Sequence, residues 1–138
     1  MKDMRWNTKN ILVTGANGFL GRRVVKQLEK RNPKKIICPS SKDCDLREKE
    51  NCKAMVKDVD LIFHVAGKVG GIGIMQEKPA ERFYDNIMMS TNLIHEAKEA
   101  NVEKFIGIGT VCSYPKFAKV PFTEDLIWDG YPEETNAA

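Results

Sequence analysis

The sequence predicts a doubly wound α/β fold with a parallel sheet. Short apolar runs alternate with longer amphipathic stretches, a glycine-rich turn joins the first run to the first amphipathic stretch, and no hairpin-type turn pairs one apolar run with the next. Strands buried on both faces read as continuous apolar runs, and right-handed crossovers between them give a parallel sheet covered by helices.

The elements follow in order. Asn10-Ile11-Leu12-Val13-Thr14 is expected as the first strand. Phe19 to about Lys30 should form a helix with Leu20, Val24, Val25 and Leu28 on one face, and Arg22, Arg23, Lys26 and Lys30 outside. Pro33 should stop it. Lys35-Ile36-Ile37-Cys38 is a second strand, Arg47 to about Met55 a short charged helix, and Leu61 to Val65 a third strand. A glycine-rich loop is expected from Gly67 to Gly73. Pro79 suits a first helical turn, and the long helix reaching about Ala100 places Phe83, Ile87, Ile94 and Ala97 at spacings of three, four and seven. Lys104 to Gly109 is a further strand of buried character. Pro115, Pro121 and Pro132 then punctuate an irregular tail.

Composition narrows the function classes. A chain of 138 residues can bury a real core, and a single domain is the expectation. The net charge is only +3, with basic and acidic residues interspersed, so nothing argues for a nucleic-acid partner. No apolar run approaches the roughly 20 residues of a membrane span, and residues 1–10 are charged rather than leader-like, so a cytoplasmic protein without a membrane partner is expected. Cys38, Cys44, Cys52 and Cys112 include no C-x-x-C pair, so neither a disulfide framework nor a metal site is expected. His64 and His95 read as packing or surface residues, without a second ligand at metal spacing.

The chemistry lies in the turn Thr14-Gly15-Ala16-Asn17-Gly18-Phe19-Leu20-Gly21. Gly15, Gly18 and Gly21 stand where a tight strand-to-helix turn lets a pyrophosphate approach the backbone and the helix N-terminus. Asn17, Phe19 and Leu20 are candidates for the same contact. The spacing G-x-x-G-x-x-G is one residue longer than the common dinucleotide fingerprint, and the absence of G-K-S or G-K-T excludes a P-loop. After the second strand, where an acidic residue usually accepts both ribose hydroxyls of NAD, the chain has Ser40, Ser41 and Lys42. Two hydroxyls and an ammonium suit a 2′-phosphate and favour NADP, the alternative being a solvated serine turn. Asp45, followed by Leu46, either accepts from the adenine amino group or caps the helix beginning near Arg47.

These residues, with Ala66-Gly67-Lys68-Val69-Gly70-Gly71-Ile72, Asn92-Leu93-Ile94-His95-Glu96-Ala97 and Gly109-Thr110-Val111-Cys112-Ser113-Tyr114-Pro115-Lys116, make the chain resemble a known family. It is similar to the extended short-chain dehydrogenase/reductases of the NAD-dependent epimerase/dehydratase family, closest to the GDP-L-fucose synthase branch. The resemblance covers nearly the whole chain, and Lys68-Val69-Gly70-Gly71-Ile72 is its most discriminating run. It implies a Rossmann-type sheet, NADP with NAD possible, and a GDP-sugar as the favoured small-molecule partner. It also implies that Val65, Ala66, Gly67, Lys68 and Ile108 contact the cofactor, and that Val69, Gly70, Gly71 and Asn86 contact the sugar nucleotide. Thr110 matches the hydroxyl residue that hydrogen-bonds the reacting carbonyl, and Cys112 the cysteine proposed as acid/base. A 4-ketone acidifies the protons at C3 and C5, so a base that removes and returns them inverts both centres before hydride reduces C4. A thiol of pKa about 8.5 needs only modest lowering for that task. Without the resemblance, Cys112 reads as a buried structural thiol. Lys68 either approaches a phosphate or is solvated, and Asn86 either bridges helix and strand or contacts the site.

The chain departs from the family in two places. Asn17 stands where the fucose synthases carry a basic residue near the cofactor phosphate, which keeps NAD open. The family's catalytic Y-x-x-x-K is missing: Met88, Ala118 and Thr135 stand four residues after Tyr84, Tyr114 and Tyr131. The resemblance places that tyrosine immediately after Ala138. The expectation is therefore the N-terminal cofactor-binding portion, residues 1–138, of a longer epimerase-reductase that is a homodimer at full length, the alternatives being a non-catalytic nucleotide-binding module or a related nucleotide-sugar epimerase/dehydratase of the GDP-mannose 3,5-epimerase kind. The sheet would be incomplete at its C-terminal side, its last strand an unpaired apolar edge. The dyad helix and substrate subdomain would be absent, and this chain alone is expected to be inactive.

Overall fold

The computed structural model describes residues 4–70, 73 and 77–133. The chain divides into two compact units, with the boundary between Gly107 and Ile108. In the first unit, strands β1 (Asn10–Thr14), β2 (Lys35–Ile37), β3 (Leu61–His64) and β4 (Lys104–Gly107) form one parallel sheet in the order β2-β1-β3-β4. Helix α1 (Phe19–Glu29) links β1 to β2, α2 (Lys49–Met55) links β2 back to β3, and α3 (Pro79–Glu99) links β3 to β4. The order reverses between β1 and β3, which places a crevice beyond the carboxyl ends of those two strands. This is the expected α/β Rossmann-like arrangement.

Strand alternation sends the core to both faces of the sheet. Ile11 and Val13 of β1 and Leu61 of β3 pack with Leu28 of α1, while Leu12 and Ile62 pack with Cys52, Val56, Met89, Leu93 and Ala97 from the α2 and α3 side. Each helix ends short of a non-glycine residue in the left-handed region: Asn32 at φ 50°, Asp58 at 59° and Asn101 at 55°. Asn and Asp tolerate that conformation better than other side chains, so these residues reverse the chain where glycine commonly would.

The structure corrects several expectations. On α3, Phe83, Ile87 and Ile94 are exposed, and the buried face is Asp85, Met89, Leu93, Glu96 and Ala97. Both stripes have helical spacing, and an apolar count cannot show that two carboxylates belong to the inner one. Leu20 of α1 is 43% exposed, and the buried residues of that helix are Gly21 and Leu28. Helix α2 begins at Lys49 rather than Arg47. Strand β4 ends at Gly107, and its side chains are half-buried or exposed because it is the terminal strand of the described sheet. Gly73, expected in a loop, is helical, whereas residues 71, 72, 74–76 and 134–138 lie outside the described residues. The second unit carries 3-10 turns at Val111–Ser113 and Glu124–Trp128 and no strand among its described residues, as the proline-punctuated tail suggested.

At the carboxyl ends of β1 and β3 the strands are pinned by a polar cluster. Thr14 Oγ1 accepts from the Ala66 N–H at 3.3 Å and is hydrogen-bonded to His64 Nδ1 at 2.8 Å. Nε2 of the same ring is hydrogen-bonded to Ser90 Oγ of α3 at 3.2 Å. Burial pushes the His64 pKa below its ordinary 6.5. The unfolded chain therefore binds this proton first as pH falls, so stability drops from about pH 6.5 downward. Urea midpoints should decline between pH 7.5 and 5.5, above the range where carboxylates protonate, and His64→Gln should flatten that slope. An equal slope in the variant would show that His64 is not the group responsible.

Candidate functional site

The glycines of the β1–α1 turn have three different duties. Gly15 sits at φ +68°, and a Cβ there would stand 2.7 Å from the Ala66 backbone nitrogen. Gly21, inside the first turn of α1, faces the carbonyl oxygen of Gly15, which a Cβ would approach to 2.0 Å. Both therefore allow backbone to meet backbone. At Gly18 a Cβ would meet only the Gly15 carbonyl oxygen, at 3.2 Å. This residue is the N-cap of α1 in extended conformation, with no side-chain cap and no acidic residue in the first turn. The amino end of an 11-residue helix, with its partial positive charge, thus stands without a competing carboxylate.

That helix end opens into a cleft of about 460 Å³ in the first unit. The cleft brings together Gly15, Asn17, Gly18, Ser41, Asp45, Leu46, Val65, Ala66, Gly67 and Lys68 from the sequence-derived candidates. Phe19, Leu20, Gly21, Ser40 and Lys42 are not among its lining residues. Gly21 packs the helix onto the turn, and Phe19 is 80% exposed. Ser40 builds the following turn, its hydroxyl accepting from the Lys42 N–H at 3.2 Å and its carbonyl from Asp43 and Cys44. A larger hollow of about 580 Å³ lies beside α1, where Trp6, Val24, Leu28 and Phe63 are rimmed by Arg23 and Arg31, without a glycine turn.

The cleft also includes residues the sequence reading missed: Thr14, Pro39, Cys44, Arg47 and Met89. Arg47 matters most. Its Nη2 donates to Asp45 Oδ2 at 2.6 Å, its Nε lies 3.0 and 3.1 Å from the two oxygens of Asp45, and its Nη1 donates to Asp85 Oδ1 at 2.8 Å. The backbone N–H of Arg47 also donates to Asp45 Oδ1. Asp45 therefore closes an Asx turn and is not the cap of α2, whose N-cap is Glu48. The hydrogen bonds from Arg47 hold the Asp45 carboxyl down at about 2. The signal available was the D-L-R triplet, but its link to Asp85 spans 38 positions.

Two thiols stand beside this wall. Cys52 is buried and donates to the Leu46 carbonyl at 3.2 Å, and burial raises its pKa to about 11. Burial, with Asp45 and Asp43 nearby, also raises the Cys44 thiol. The opposite wall is held by Asn86, whose side chain accepts from the Lys68 N–H at 2.7 Å and donates to the Lys68 carbonyl at 3.0 Å. Val69 and Gly70 beyond it are exposed, and Gly71 lies outside the described residues.

Ile108, Thr110 and Cys112 belong to the second unit. Ile108 is 54% exposed. Thr110 caps the 3-10 turn, its Oγ1 accepting from the Cys112 N–H at 3.2 Å. Cys112 is exposed, in place of the buried thiol the residues alone suggested. Tyr114 stacks on Phe122 at 4.6 Å between ring centres. Among the described residues no group of His, Cys, Asp and Glu could hold a metal ion, and no helix is long and apolar enough to cross a membrane.

A bare helix end, a glycine turn and a cleft at the switch point stand together on an α/β Rossmann-like sheet, the place where open α/β sheets receive ligands. The chain belongs to the NAD dependent epimerase/dehydratase family, whose pattern matches residues 11–136. It is 37% identical over 128 residues to GDP-L-colitose synthase of Yersinia pseudotuberculosis, a match covering 91% of this chain and 41% of that protein. To GDP-L-fucose synthase of Escherichia coli K12 it is 30% identical over 130 residues, covering 93% and 40%. Among solved structures, the GDP-mannoheptose C4 reductase of Campylobacter jejuni with NADP bound matches with a TM-score of 0.85 and 25% identity, over 95% of this chain and 42% of that one. The chain thus spans about two fifths of the length of the curated relatives it matches.

The glycines should separate experimentally. Gly21→Ala should destabilise the fold by more than about 2 kcal/mol in urea titration, since backbone must move to admit the methyl group. Gly18→Val should leave the melting temperature within a few degrees yet abolish dinucleotide binding, and unchanged affinity in that variant would remove the turn from the site.

Proposed function

We propose that these residues are the cofactor-binding portion of an NADP-dependent nucleotide-sugar epimerase-reductase of the GDP-L-fucose synthase kind. The observation that carries this reading is the uncapped N-terminus of α1, opened by Gly18 into a cleft walled by Asp45 and Ala66. A pyrophosphate is bound there by backbone N–H groups and the helix dipole. Asp45 and Leu46 flank the adenine, Ser41 meets the adenosine ribose and favours NADP, and Lys68 borders the phosphates. The relatives, a GDP-L-colitose synthase and a GDP-L-fucose synthase, support a GDP-sugar as substrate. The structural neighbour with NADP bound supports the choice of cofactor.

In this reading Thr110 donates its hydroxyl hydrogen to the substrate carbonyl, and Cys112 exchanges protons with the carbons beside it. The cofactor supplies hydride when bound. Within the 138 residues no tyrosine is followed by lysine four places on, so the proton donor to the reduced oxygen is missing and the chain alone binds without turnover. The exposed Phe83, Tyr84, Ile87 and Ile94 of α3 support a homodimer formed through this helix.

Calorimetric titration should show NADPH bound more tightly than NADH, with no reduction of a GDP-4-keto-6-deoxy sugar by this chain. Absence of binding to either nucleotide would overturn the cofactor reading, and steady turnover would overturn the binding-only reading. Ile87→Glu should shift a light-scattering mass from dimer to monomer, whereas a monomeric wild type would remove the dimer.

A further inference from the structure

We infer that Asp85 is a positioning residue that ties the two walls of the cleft to one point on α3 and so sets their spacing. It is not among the lining residues, and its side chain is only 10% exposed. Each carboxylate oxygen takes a cation from a different wall. Oδ1 receives Arg47 Nη1 from the β2–α2 connection at 2.8 Å, and Oδ2 receives Lys68 Nζ from the loop after β3 at 2.8 Å. Both of those cations line the cleft. The neighbouring helix positions carry the same two connections into the backbone. Asn86 pairs with both polar groups of the Lys68 peptide, and Asn92 donates to the Arg47 carbonyl at 2.8 Å. Three residues of α3 therefore hold segments that are 21 residues apart in sequence, and buried Asp85 is the only one of them bonded to both walls.

The charges make the role testable by sign. Asp45, Arg47, Asp85 and Lys68 sum to zero, so replacing Asp85 by asparagine adds one positive charge beside the cleft. By Coulomb attraction alone an anionic dinucleotide would bind more tightly to that variant. If Asp85 acts by holding the walls, binding weakens instead, because the contacts must be ordered when the ligand arrives. The inference rests on the cofactor cleft proposed above.

The experiment compares the 138-residue protein with Asp85→Asn, using amide hydrogen exchange without ligand and NADPH affinity by calorimetry. The reporters are the Lys68 N–H, held by Asn86, and the Arg47 N–H, held by Asp45. Both should exchange faster while the amides of β1 and β3 stay protected, and NADPH affinity should fall about tenfold. Unchanged exchange at either reporter would overturn the tie, and faster exchange with equal or tighter NADPH binding would overturn its positioning role. Should Asp85→Asn fail to fold, Lys68→Met and Arg47→Met each cut one arm, and each should loosen only its own reporter. Failure of the wild type to bind NADPH would sink the cofactor reading, while the exchange comparison, which needs no ligand, would still decide the tie.

Discussion

The structure depends on one close approach: the β1–α1 turn meets the end of β3 backbone to backbone, with Gly15 against Ala66. A Cβ at 2.7 Å from the Ala66 nitrogen would push the turn off the sheet. Because the turn lies flat, the Thr14 hydroxyl reaches both the Ala66 N–H and His64, and the first turn of α1 faces the crevice at the point where strand order reverses. Gly21 repeats the constraint on the helix side, so the amino end of α1, with its partial positive charge, is aimed by packing of the turn.

The remaining walls of the cleft are loops, and loops need anchors. The inner face of α3 provides them by hydrogen bonds: Ser90 to the ring of His64, Asn86 to the Lys68 peptide, Asn92 to the Arg47 carbonyl and Asp85 to two cations. Met89, Leu93 and Ala97 on the same face make the apolar contact that keeps the helix against the sheet. Polar anchoring and core packing thus share one stripe. This explains why a carboxylate such as Asp85 is buried without a folding penalty from an unpaired charge, since two cations and their hydrogen bonds satisfy it.

Much of this was legible in the residues. The strands at 10–14, 35–37 and 61–64 are short apolar runs, and local side-chain chemistry suffices to mark them. The glycine turn was readable because positive φ and close backbone approach leave few residue choices. The orientation of α3 was not, because Phe83, Ile87 and Ile94 are as apolar and as helically spaced as Met89, Leu93 and Ala97. Which stripe faces the sheet is settled by the packing of α2 and the capture of Arg47 and Lys68, none of which is local in sequence.

By itself, then, the sequence determined the class of fold, the position of the glycine turn and the family, because these rest on local periodicity and on glycines at a positive φ or a close backbone approach. The family pattern over residues 11–136 bears that out. Only the tertiary structure decided how the three glycines divide their work, which residues line the cleft, and that Arg47 belongs to it. Those outcomes depend on distances between segments 17 to 51 residues apart, such as Gly15 to Ala66, Arg47 to Asp85 and Lys68 to Asp85, and no local pattern encodes a distance across the fold.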